Sequence, residues 1–271
     1  TIVESIIQRV VKLLIRSKKD LPDMKLENKS FNEGIRHILE HDKNILMIKC
    51  SDKLGVKDYV KEKLNSDDNI IKTLEVSDDM DILFSKIKNN KAHPKNYYIK
   101  ANNDSGGTCL FKNNQATNLK KIDEIKERKF VPYGVGKGEW FYKDIEYKCF
   151  SEELIGENLI DYKWHCAHGK VKACQIIGNR INKTTEICTD INGKALPFHF
   201  DTSFLLKDIF PRPSNWNQMK EIAEALCKDF NYVRVDMYNV NNKIYVGELT
   251  FAPRAGRYKG NGQIEMGKVL W

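Results

Sequence analysis

The spacing of apolar residues alternates along the chain between a helical period and the two-residue period of strands. The clearest helical stretch covers residues 214–230, where Trp216, Met219, Ile222 and Leu226 fall on one face. Because strands and helices alternate throughout, the pattern predicts an α/β or α+β architecture. Helices are predicted at residues 1–19, 32–42, 51–64 and 214–230, and strands or hairpins at 44–50, 97–111, 149–155, 161–177 and 234–251.

Polar residues at the ends of these stretches predict caps and turns. Ser51 and Ser214 precede helical patterns and are predicted N-caps, because a serine side chain accepts a hydrogen bond from a free backbone N–H at a helix start. His168 and Gly169 are the predicted turn of the hairpin at residues 161–177.

One carboxylate stands among the apolar residues of each strand in RVDMYNVNNKIYVGELTF, residues 234–251. A three-residue turn at 241–243 places Asp236 opposite Glu248, with Ile244 and Val246 on the same face as Glu248. A two-residue turn is expected to put the two acids on opposite faces, because a one-residue slip reverses every side chain. The sequence favours the three-residue turn, since asparagine tolerates the left-handed conformation that it requires.

Opposed carboxylates repel each other unless a cation lies between them. Mg²⁺ is typically held by one or two carboxylates together with substrate phosphates, so the pair Asp236 and Glu248 is a candidate magnesium site. The same register places Arg234 opposite Thr250. The alternative interpretation is that both acids lie at a solvated sheet edge.

A loop of small residues, NDSGG, follows the strand that ends in Lys100. Backbone N–H groups of such a loop can approach an anion closely, and the lysine would add a point charge for a phosphate. An ordinary glycine hairpin explains the same residues. The segment GVGKGE at residues 134–139 lacks the spacing of the phosphate-binding P-loop, so it is not read as one.

Composition narrows the classes of function. The chain has 271 residues and a formal net charge of +8, but its lysines are spread among acids and do not form a stripe with aromatic residues. This distribution favours an anionic small ligand over nucleic acid. Seven cysteines without a paired spacing predict a reduced, cytosolic protein. The amphipathic basic helix at residues 1–19 is expected to pack on the protein, and the alternative is peripheral contact with a membrane.

The order of these motifs resembles the ATP-grasp fold, and more closely its TupA-like branch from bacterial surface-polysaccharide biosynthesis. The resemblance is carried by DKLGVKDYVKEKL, YIKANNDSGG, FSEELI, DYKWHCAHGK and YVRVDMYNVNNKIYVGELTFAPRAG. It implies an α+β chain with two lobes that clasp a nucleotide, after an N-terminal helical and small α/β region. The expected boundaries are residues 1–45, 46–95, 96–155 for the N-terminal lobe and 156–271 for the C-terminal lobe.

The resemblance also implies the residues that bind ATP and magnesium ions. The expected nucleotide-binding residues are Lys100, Ser105, Gly106 and Gly107 at the phosphates, Glu152, Glu153 and Leu154 at the adenine, Asp161 at the ribose and Lys163 near the phosphates. The expected magnesium ligands are Asp236, Glu248 and Thr250, where Thr250 replaces the more usual asparagine. The expected catalytic cations are Arg180, Arg234 and Arg254, and a surface position is the alternative for Arg254.

The activity implied is ATP-dependent ligation of a carboxylate to an amine. The expected partners are an anionic, uronic-acid-containing glycan, or its sugar-nucleotide or lipid-linked precursor, and a small amine or amino acid; no nucleic acid is expected. The expected location is the cytoplasm or the inner face of the membrane. Two alternatives are a kinase that phosphorylates a glycan hydroxyl and a nucleotide-binding assembly subunit without catalysis.

Overall fold

The computed structural model describes residues 24–207 and 209–271. The helix predicted at residues 1–19 lies outside this part of the chain. The described residues form two β-sheets with helices packed against them, which confirms the α+β class. No helix among them is long and apolar enough to cross a membrane.

The smaller sheet has five strands in the order β1-β5-β2-β3-β4, all antiparallel to their neighbours. Its strands are β1 (Thr73–Ser77), β2 (Tyr97–Ala101), β3 (Thr108–Lys112), β4 (Gln115–Ala116) and β5 (Cys149–Glu153). Helices α4 (Met80–Asn89) and α5 (Leu119–Glu127) cover one face. Between sheet and helices lies a core of its own that includes Leu83, Ile99 and Ile125.

The larger sheet has six strands in the order β11-β10-β6-β7-β8-β9, with only β8 and β9 parallel to each other. Its strands are β6 (Asp161–Ala167), β7 (Lys170–Gly178), β8 (Thr185–Thr189), β9 (Leu205–Leu206), β10 (Tyr232–Val240) and β11 (Lys243–Thr250). The predicted turn between β6 and β7 is confirmed, since His168 and Gly169 both have left-handed φ angles of 53° and 70°.

Five helices share the core of the larger sheet. They are α1 (Phe31–His41), α2 (Leu46–Ser51), α3 (Gly55–Leu64), α6 (Trp216–Cys227) and α7 (Gly262–Leu270). Phe31, Trp164 and Trp216 are among the largest fully buried side chains of this core. The helices between residues 31 and 64 therefore pack with the C-terminal sheet, and the four domain boundaries expected from the sequence stay a prediction.

The predicted strand at residues 44–50 is wrong, because residues 46–51 form helix α2. Met47 and Cys50 are buried three positions apart, which is a helical spacing, and a short apolar run such as residues 45–48 does not by itself distinguish a helix from a strand. Ser51 consequently ends α2, and it does not cap the next helix, which begins at Gly55 with Leu54 at the cap position.

The predicted cap at Ser214 is also wrong. Helix α6 begins at Trp216 with Asn215 at the cap position and no side-chain cap. The Ser214 hydroxyl donates instead to Asn242 Oδ1 at 3.1 Å, and the Asn215 side chain donates to the Asn242 carbonyl at 2.9 Å. Both side chains join the start of α6 to the turn of the β10–β11 hairpin.

That turn has two residues, so the predicted three-residue turn is wrong. Val240 pairs with Lys243, and Asn241 and Asn242 both adopt left-handed φ angles of 52° and 65°, as a type I′ hairpin turn requires. The register then shifts by one residue at a β-bulge, where Asp236 pairs with Glu248 while Met237 pairs with Val246. Gly247 is the extra residue of this bulge.

The bulge pairs Asp236 with Glu248 although the turn has an even number of residues. Ile244 and Val246 are buried in the core with Leu249, so their predicted shared face with Glu248 is wrong. Because the bulge reverses the alternation of side chains, Glu248 lies on the other face of the sheet, opposite Asp236. The predicted pairs Asp236 with Glu248 and Arg234 with Thr250 are confirmed.

We predict that Gly247→Val lowers the free energy of unfolding by about 1–3 kcal/mol, the range for a side chain forced into a packed site. A Cβ at this position would lie 2.8 Å from Tyr238 Cε2. Urea unfolding of the two proteins measures the difference. Asn241→Gly is the matched control in the same hairpin, since Asn241 is exposed, glycine adopts its left-handed turn conformation freely, and the free energy of unfolding should change by less than about 0.5 kcal/mol. An unchanged midpoint for Gly247→Val contradicts the bulge.

Candidate functional site

Two adjoining pockets lie between the sheets. The first, here called the hinge pocket, has a volume of about 360 Å³ and is lined by residues of both sheets and of the segment that connects β5 to β6. Its lining includes Tyr98, Lys100, Glu152, Asp161, Arg180 and Tyr238. A cleft of this kind, bounded by two sheets and their connection, is a common location for a ligand site.

The second pocket, here called the arginine pocket, has a volume of about 230 Å³. Its lining includes Ser105, Glu139, Lys163, Arg234, Glu248 and Arg254. Thr250 also lines it, and Arg180 lines both pockets. The two pockets therefore meet at Arg180 and together bring most of the sequence-predicted site residues to one cleft.

Asp236 lies at the base of the arginine pocket, 2% exposed, between two cations. Arg234 donates from Nε to Oδ1 at 2.6 Å and from a terminal nitrogen to Oδ2 at 2.7 Å. Lys163, which faces Asp236 across the β6–β10 pair, donates to Oδ2 as well. Burial alone would raise the pKa of Asp236, but Arg234 and Lys163 outweigh it and hold the pKa below its usual range.

Arg234 also reaches the neighbouring strand. The terminal nitrogen that binds Asp236 lies 3.5 Å from Glu248 Oε1 and 3.2 Å from the Thr250 hydroxyl, which itself donates to Glu248 at 3.1 Å. Burial would lower the pKa of Arg234, and the Asp236 charge more than offsets this, so the guanidinium stays charged. One cation thus holds the three predicted magnesium ligands in a single cluster.

The donor set of this cluster fits Mg²⁺. It offers two carboxylates and a hydroxyl, all oxygen donors, and Glu248 keeps 38% of its side chain exposed towards the pocket. No group of three or more His, Cys, Asp or Glu side chains comes together as a metal site within residues 24–207 and 209–271. A magnesium ion here would accordingly rely on phosphate oxygens for the remaining positions, and at Asp236 it would compete with Lys163.

The other wall of the cleft is built around Glu152. This carboxylate is buried and accepts from Lys57 at 2.7 Å and from Lys100. Burial would raise its pKa, but the two lysines outweigh burial and lower it. Glu153, the next residue, is exposed, and its N–H donates to the Lys72 carbonyl at 3.0 Å. The roles of Glu152, Glu153 and Leu154 at an adenine stay predictions.

The glycine loop closes over the arginine pocket from the smaller sheet. Asp104 is buried there, pairs with Arg128 at 3.0 Å and accepts the N–H of Ser105 at 2.8 Å. A Cβ on Gly107 would lie 1.8 Å from Asp104 Oδ2, so this turn excludes a side chain at that position. Gly106 has a left-handed φ of 80° and open space around it. The loop therefore leaves room beside the backbone of Gly106.

Arg180 and Asp161 form an ion pair at the junction of the two pockets. Nε of Arg180 donates to Asp161 Oδ2 at 2.7 Å, and 47% of the arginine side chain is exposed. The buried carboxylate thus holds a largely exposed cation at the point where the pockets meet. The predicted contact of Asp161 with a ribose stays a prediction.

Arg254 occupies a strained turn at the rim of the arginine pocket. Arg254 and Ala255 both have left-handed φ angles of 50°, which costs energy for residues with a Cβ and is typical of functional sites. The guanidinium pairs with Asp201 at 2.6 Å and lies over the ring of Tyr258, yet 45% of the side chain remains exposed. Arg254 is consequently positioned to meet an anion that enters the pocket.

Sequence reasoning missed Lys53 and Glu139. Lys53 precedes α3. Burial lowers the pKa of Lys53, while the charges of Glu248, Asp104 and Glu152 act in the opposite direction. Lys53 therefore lies among the acids of both walls of the cleft. The signal was present in DKLGVKDYVKEKL, but this lysine is one of many in that segment. Glu139 lies in GVGKGE, which was set aside for lacking a P-loop spacing, and it lines the arginine pocket.

We predict that Asp236→Asn remains folded but loses about 3 kcal/mol of unfolding free energy at pH 7, because Arg234 and Lys163 lose their buried counter-charge. The pKa of Asp236 is lowered in the folded protein. The stability that its charge contributes is therefore complete above the unfolded pKa of about 3.9 and is lost progressively as the pH falls from that value towards the folded pKa. Denaturant unfolding between pH 7 and pH 3 measures this. The variant's deficit should shrink towards pH 3, and a constant deficit contradicts the lowered pKa.

Comparison with known proteins gives a family. The TupA-like ATP-grasp family matches residues 33–266. A search of curated protein sequences finds no match. The family match spans both sheets and every predicted site residue.

Similar solved structures are enzymes described as ligases or synthetases. A D-alanine-D-alanine ligase from Helicobacter pylori is 12% identical with a TM-score of 0.43, over 80% of this chain and 53% of that one. An N5-carboxyaminoimidazole synthetase from Staphylococcus aureus, complexed with ADP, is 13% identical with a TM-score of 0.41, over 82% and 51%. An ADP complex of an N5-carboxyaminoimidazole ribonucleotide synthetase is 10% identical with a TM-score of 0.46, over 89% and 53%.

This chain spans about half the length of those solved structures, and similarities at these TM-scores carry no argument about chemistry. The assignment rests on the family match, which covers most of the sequence, and it agrees with the two-sheet α+β architecture. The resemblance and the fold class predicted from the sequence are confirmed. The chain belongs to the TupA-like ATP-grasp family.

Proposed function

We propose that the protein is an ATP-dependent carboxylate–amine ligase that forms an amide on a uronic-acid-containing surface polysaccharide or its precursor. The observation that carries this proposal is the arginine pocket, where Asp236 and Glu248 oppose each other around Arg234 and further cations surround them. Such a site combines oxygen ligands for a divalent ion with positive charge for phosphates and carboxylates.

ATP would lie along the cleft. Its adenosine would occupy the hinge pocket beside Glu152, Glu153 and Leu154, with the ribose near Asp161. Its phosphates would extend past Lys100 and Arg180 into the arginine pocket, which Ser105 of the loop 105–107 and Lys163 line. The adjoining positions of the two pockets support this course, since Arg180 lines both.

Asp236, Glu248 and Thr250 would hold the magnesium ions, which neutralise charge on the phosphates when bound. Lys163 and Arg234 both donate to Asp236 Oδ2, so a move of Lys163 to a phosphate would leave this oxygen with one donor and open it to the metal. Glu248 is exposed enough to ligate without such a rearrangement. The protein's part is to hold these groups in place before the nucleotide arrives.

The chemistry proposed is activation of a carboxylate. The substrate carboxylate attacks the γ-phosphorus, the bond to the β-phosphate oxygen breaks, and ADP leaves; an acyl phosphate remains. Arg234 and Arg180 would stabilise the charge on the transferring group, and Arg254 would bind the substrate anion at the pocket rim. An amine then displaces phosphate from the acyl carbon. No covalent nucleophile of the protein is required.

The substrate classes follow from the family and the charge of the site. An anionic glycan suits a chain of net charge +8 and a pocket rim that carries Arg180 and Arg254. The location proposed is the cytoplasm, which supplies ATP and keeps thiols reduced; all seven cysteines are free. Peripheral contact of residues 1–19 with a membrane, the alternative to packing on the protein, stays a prediction.

The proposal is tested by incubating the protein with MgATP, hydroxylamine and D-glucuronate or D-galacturonate, as monosaccharides and as short oligosaccharides. A hydroxamate and stoichiometric ADP are expected, because hydroxylamine traps an acyl phosphate. Product mass separates the alternatives: an added phosphate on the sugar indicates a kinase. Tight ATP binding without turnover indicates an assembly subunit.

We predict that Glu248→Gln lowers hydroxamate formation by at least 100-fold, as expected when a group that stabilises transition-state charge is removed. Its melting temperature should change little, because the carboxylate is partly exposed and an amide oxygen can still accept from Arg234, now at 3.5 Å, and from the Thr250 hydroxyl, now at 3.1 Å. Initial rates at saturating MgATP and differential scanning fluorimetry measure the two quantities. Glu62→Gln is the control, since it removes one largely exposed carboxylate on α3. Equal rates for both variants contradict the metal assignment.

A further inference from the structure

Glu139 lies in the wall of the arginine pocket, and no other described residue hydrogen-bonds to its carboxylate or forms an ion pair with it. Its residue is 5% exposed, and its backbone N–H is tied to the Gly134 carbonyl at 3.0 Å. Its side chain packs against Gly134, where a Cβ would lie 2.8 Å from Glu139 Cβ, so the loop of residues 134–139 fixes it in place. Tyr133 and Tyr142 line the pocket beside it.

The other buried acids of the cleft all have cationic partners. Asp236, Glu152, Asp161, Asp201 and Asp104 each form an ion pair with lysine or arginine. Among the residues that the structure describes, no donor lies within hydrogen-bonding distance of the Glu139 carboxylate. Burying a carboxylate without a partner is costly, which points to a cationic group supplied from outside the chain.

We propose that Glu139 binds the amino group of the amine substrate and accepts its proton. This inference rests on the proposed ligase function. It assigns the amine to the side of the arginine pocket formed by residues 133–142, and the anionic reactants to the side that carries Arg180, Arg234 and Arg254. The pocket thus has a cationic side for the phosphate and carboxylate groups, and Glu139 on its other side for an ammonium group.

A metal ion fits Glu139 less well than an ammonium group. Asp236 and Glu248 lie on strands β10 and β11, whereas Glu139 lies at the end of the loop of residues 134–139. Within the described residues, Glu139 does not come together with two further acids, histidines or cysteines in a group that could hold a metal ion. One carboxylate flanked by tyrosine rings suits an ammonium, which needs one counter-charge and gains from aromatic faces. The amine proposed is therefore a primary amine that arrives protonated.

The electrostatics of Glu139 suit a base. Burial raises its pKa to about 7, while Lys137 on the same loop and Arg257 act in the opposite direction. Tyr142 has a pKa raised well above its usual range, first by burial and then by Glu248, Glu139, Tyr133 and Asp104, so it stays neutral. A carboxylate that titrates near neutral pH has the matched pKa that proton transfer requires.

The step balances as follows. The ammonium gives one proton to the Glu139 carboxylate and becomes a neutral amine. The nitrogen lone pair forms a bond to the acyl-phosphate carbon, and the carbon–oxygen bond to phosphate then breaks with its electron pair leaving on phosphate. The second proton of the nitrogen departs with inorganic phosphate. Glu139 returns its proton to solvent when the amide leaves.

The test is Glu139→Gln in the full chain, with two products measured from the same substrates. The carboxylate probes are D-glucuronate and D-galacturonate, and the amine probes are the twenty common amino acids and ethylamine. Hydroxylamine is largely neutral at pH 7 and needs no base, so its hydroxamate reports only the first half of the reaction. We expect the variant to form hydroxamate within twofold of the wild type and amide roughly 100-fold more slowly. Glu127→Gln, an exposed acid on α5, is the control and should alter neither product.

The pH profile separates a base from a structural residue. For the wild type, amide formation should fall as the pH drops below about 7, because protonated Glu139 cannot accept a proton. The variant should lack this limb while its hydroxamate rate keeps the wild-type profile. Amide formation at the wild-type rate, or a parallel loss of both products, overturns the inference and leaves the ligase proposal intact. Absence of hydroxamate and amide from the wild type contradicts the ligase proposal itself.

Discussion

The structure of the cleft depends on one buried charge. Asp236 is enclosed by the larger sheet, and a carboxylate in that position is tolerated only because Arg234 and Lys163 bind both of its oxygens. These three side chains come from adjacent strands, β10 and β6, so the ion cluster also fixes their register. The cluster then orients the exposed neighbours: Arg234 holds Glu248 and Thr250 towards the pocket, where a phosphate and a metal ion can reach them.

The smaller sheet repeats this arrangement of one buried acid bound by two cations. Glu152 is bound by Lys57, on helix α3, and by Lys100, which lines the hinge pocket. Each wall therefore carries cations that are held in place by an acid beneath them. Preorganised charge of this kind costs little to rearrange when an anion enters, and it explains how two modest pockets can act as one site for a polyphosphate. Within residues 24–207 and 209–271, Glu139 is the buried acid of the cleft that forms no ion pair, and we propose it as the place for a cationic reactant.

The sequence predicted the fold class, most strands, the pairing of Asp236 with Glu248 and the residues that meet in the cleft. The prediction failed where the local sequence pattern fits two structures, or where one irregularity offsets another. The apolar run at residues 44–50 satisfies either a strand or a helix, and packing against the larger core selected the helix. The hairpin turn is even, yet the bulge at Gly247 restores the register, and two compensating irregularities cannot be separated in a sequence. Lys53 and Glu139 were missed because only the assembled cleft shows which of many charged residues lie beside it.

We propose that this cleft transfers the γ-phosphoryl group of ATP to a substrate carboxylate. The most direct measurement is the fate of ¹⁸O in a hexuronate labelled at its carboxylate, incubated with the protein, MgATP and an amine and followed by mass spectrometry of the released phosphate. The account predicts one ¹⁸O atom in each phosphate released, because the acyl-phosphate oxygen originates from the carboxylate and leaves with the phosphorus. Unlabelled phosphate, or a phosphorylated sugar that retains both labelled oxygens, would contradict it.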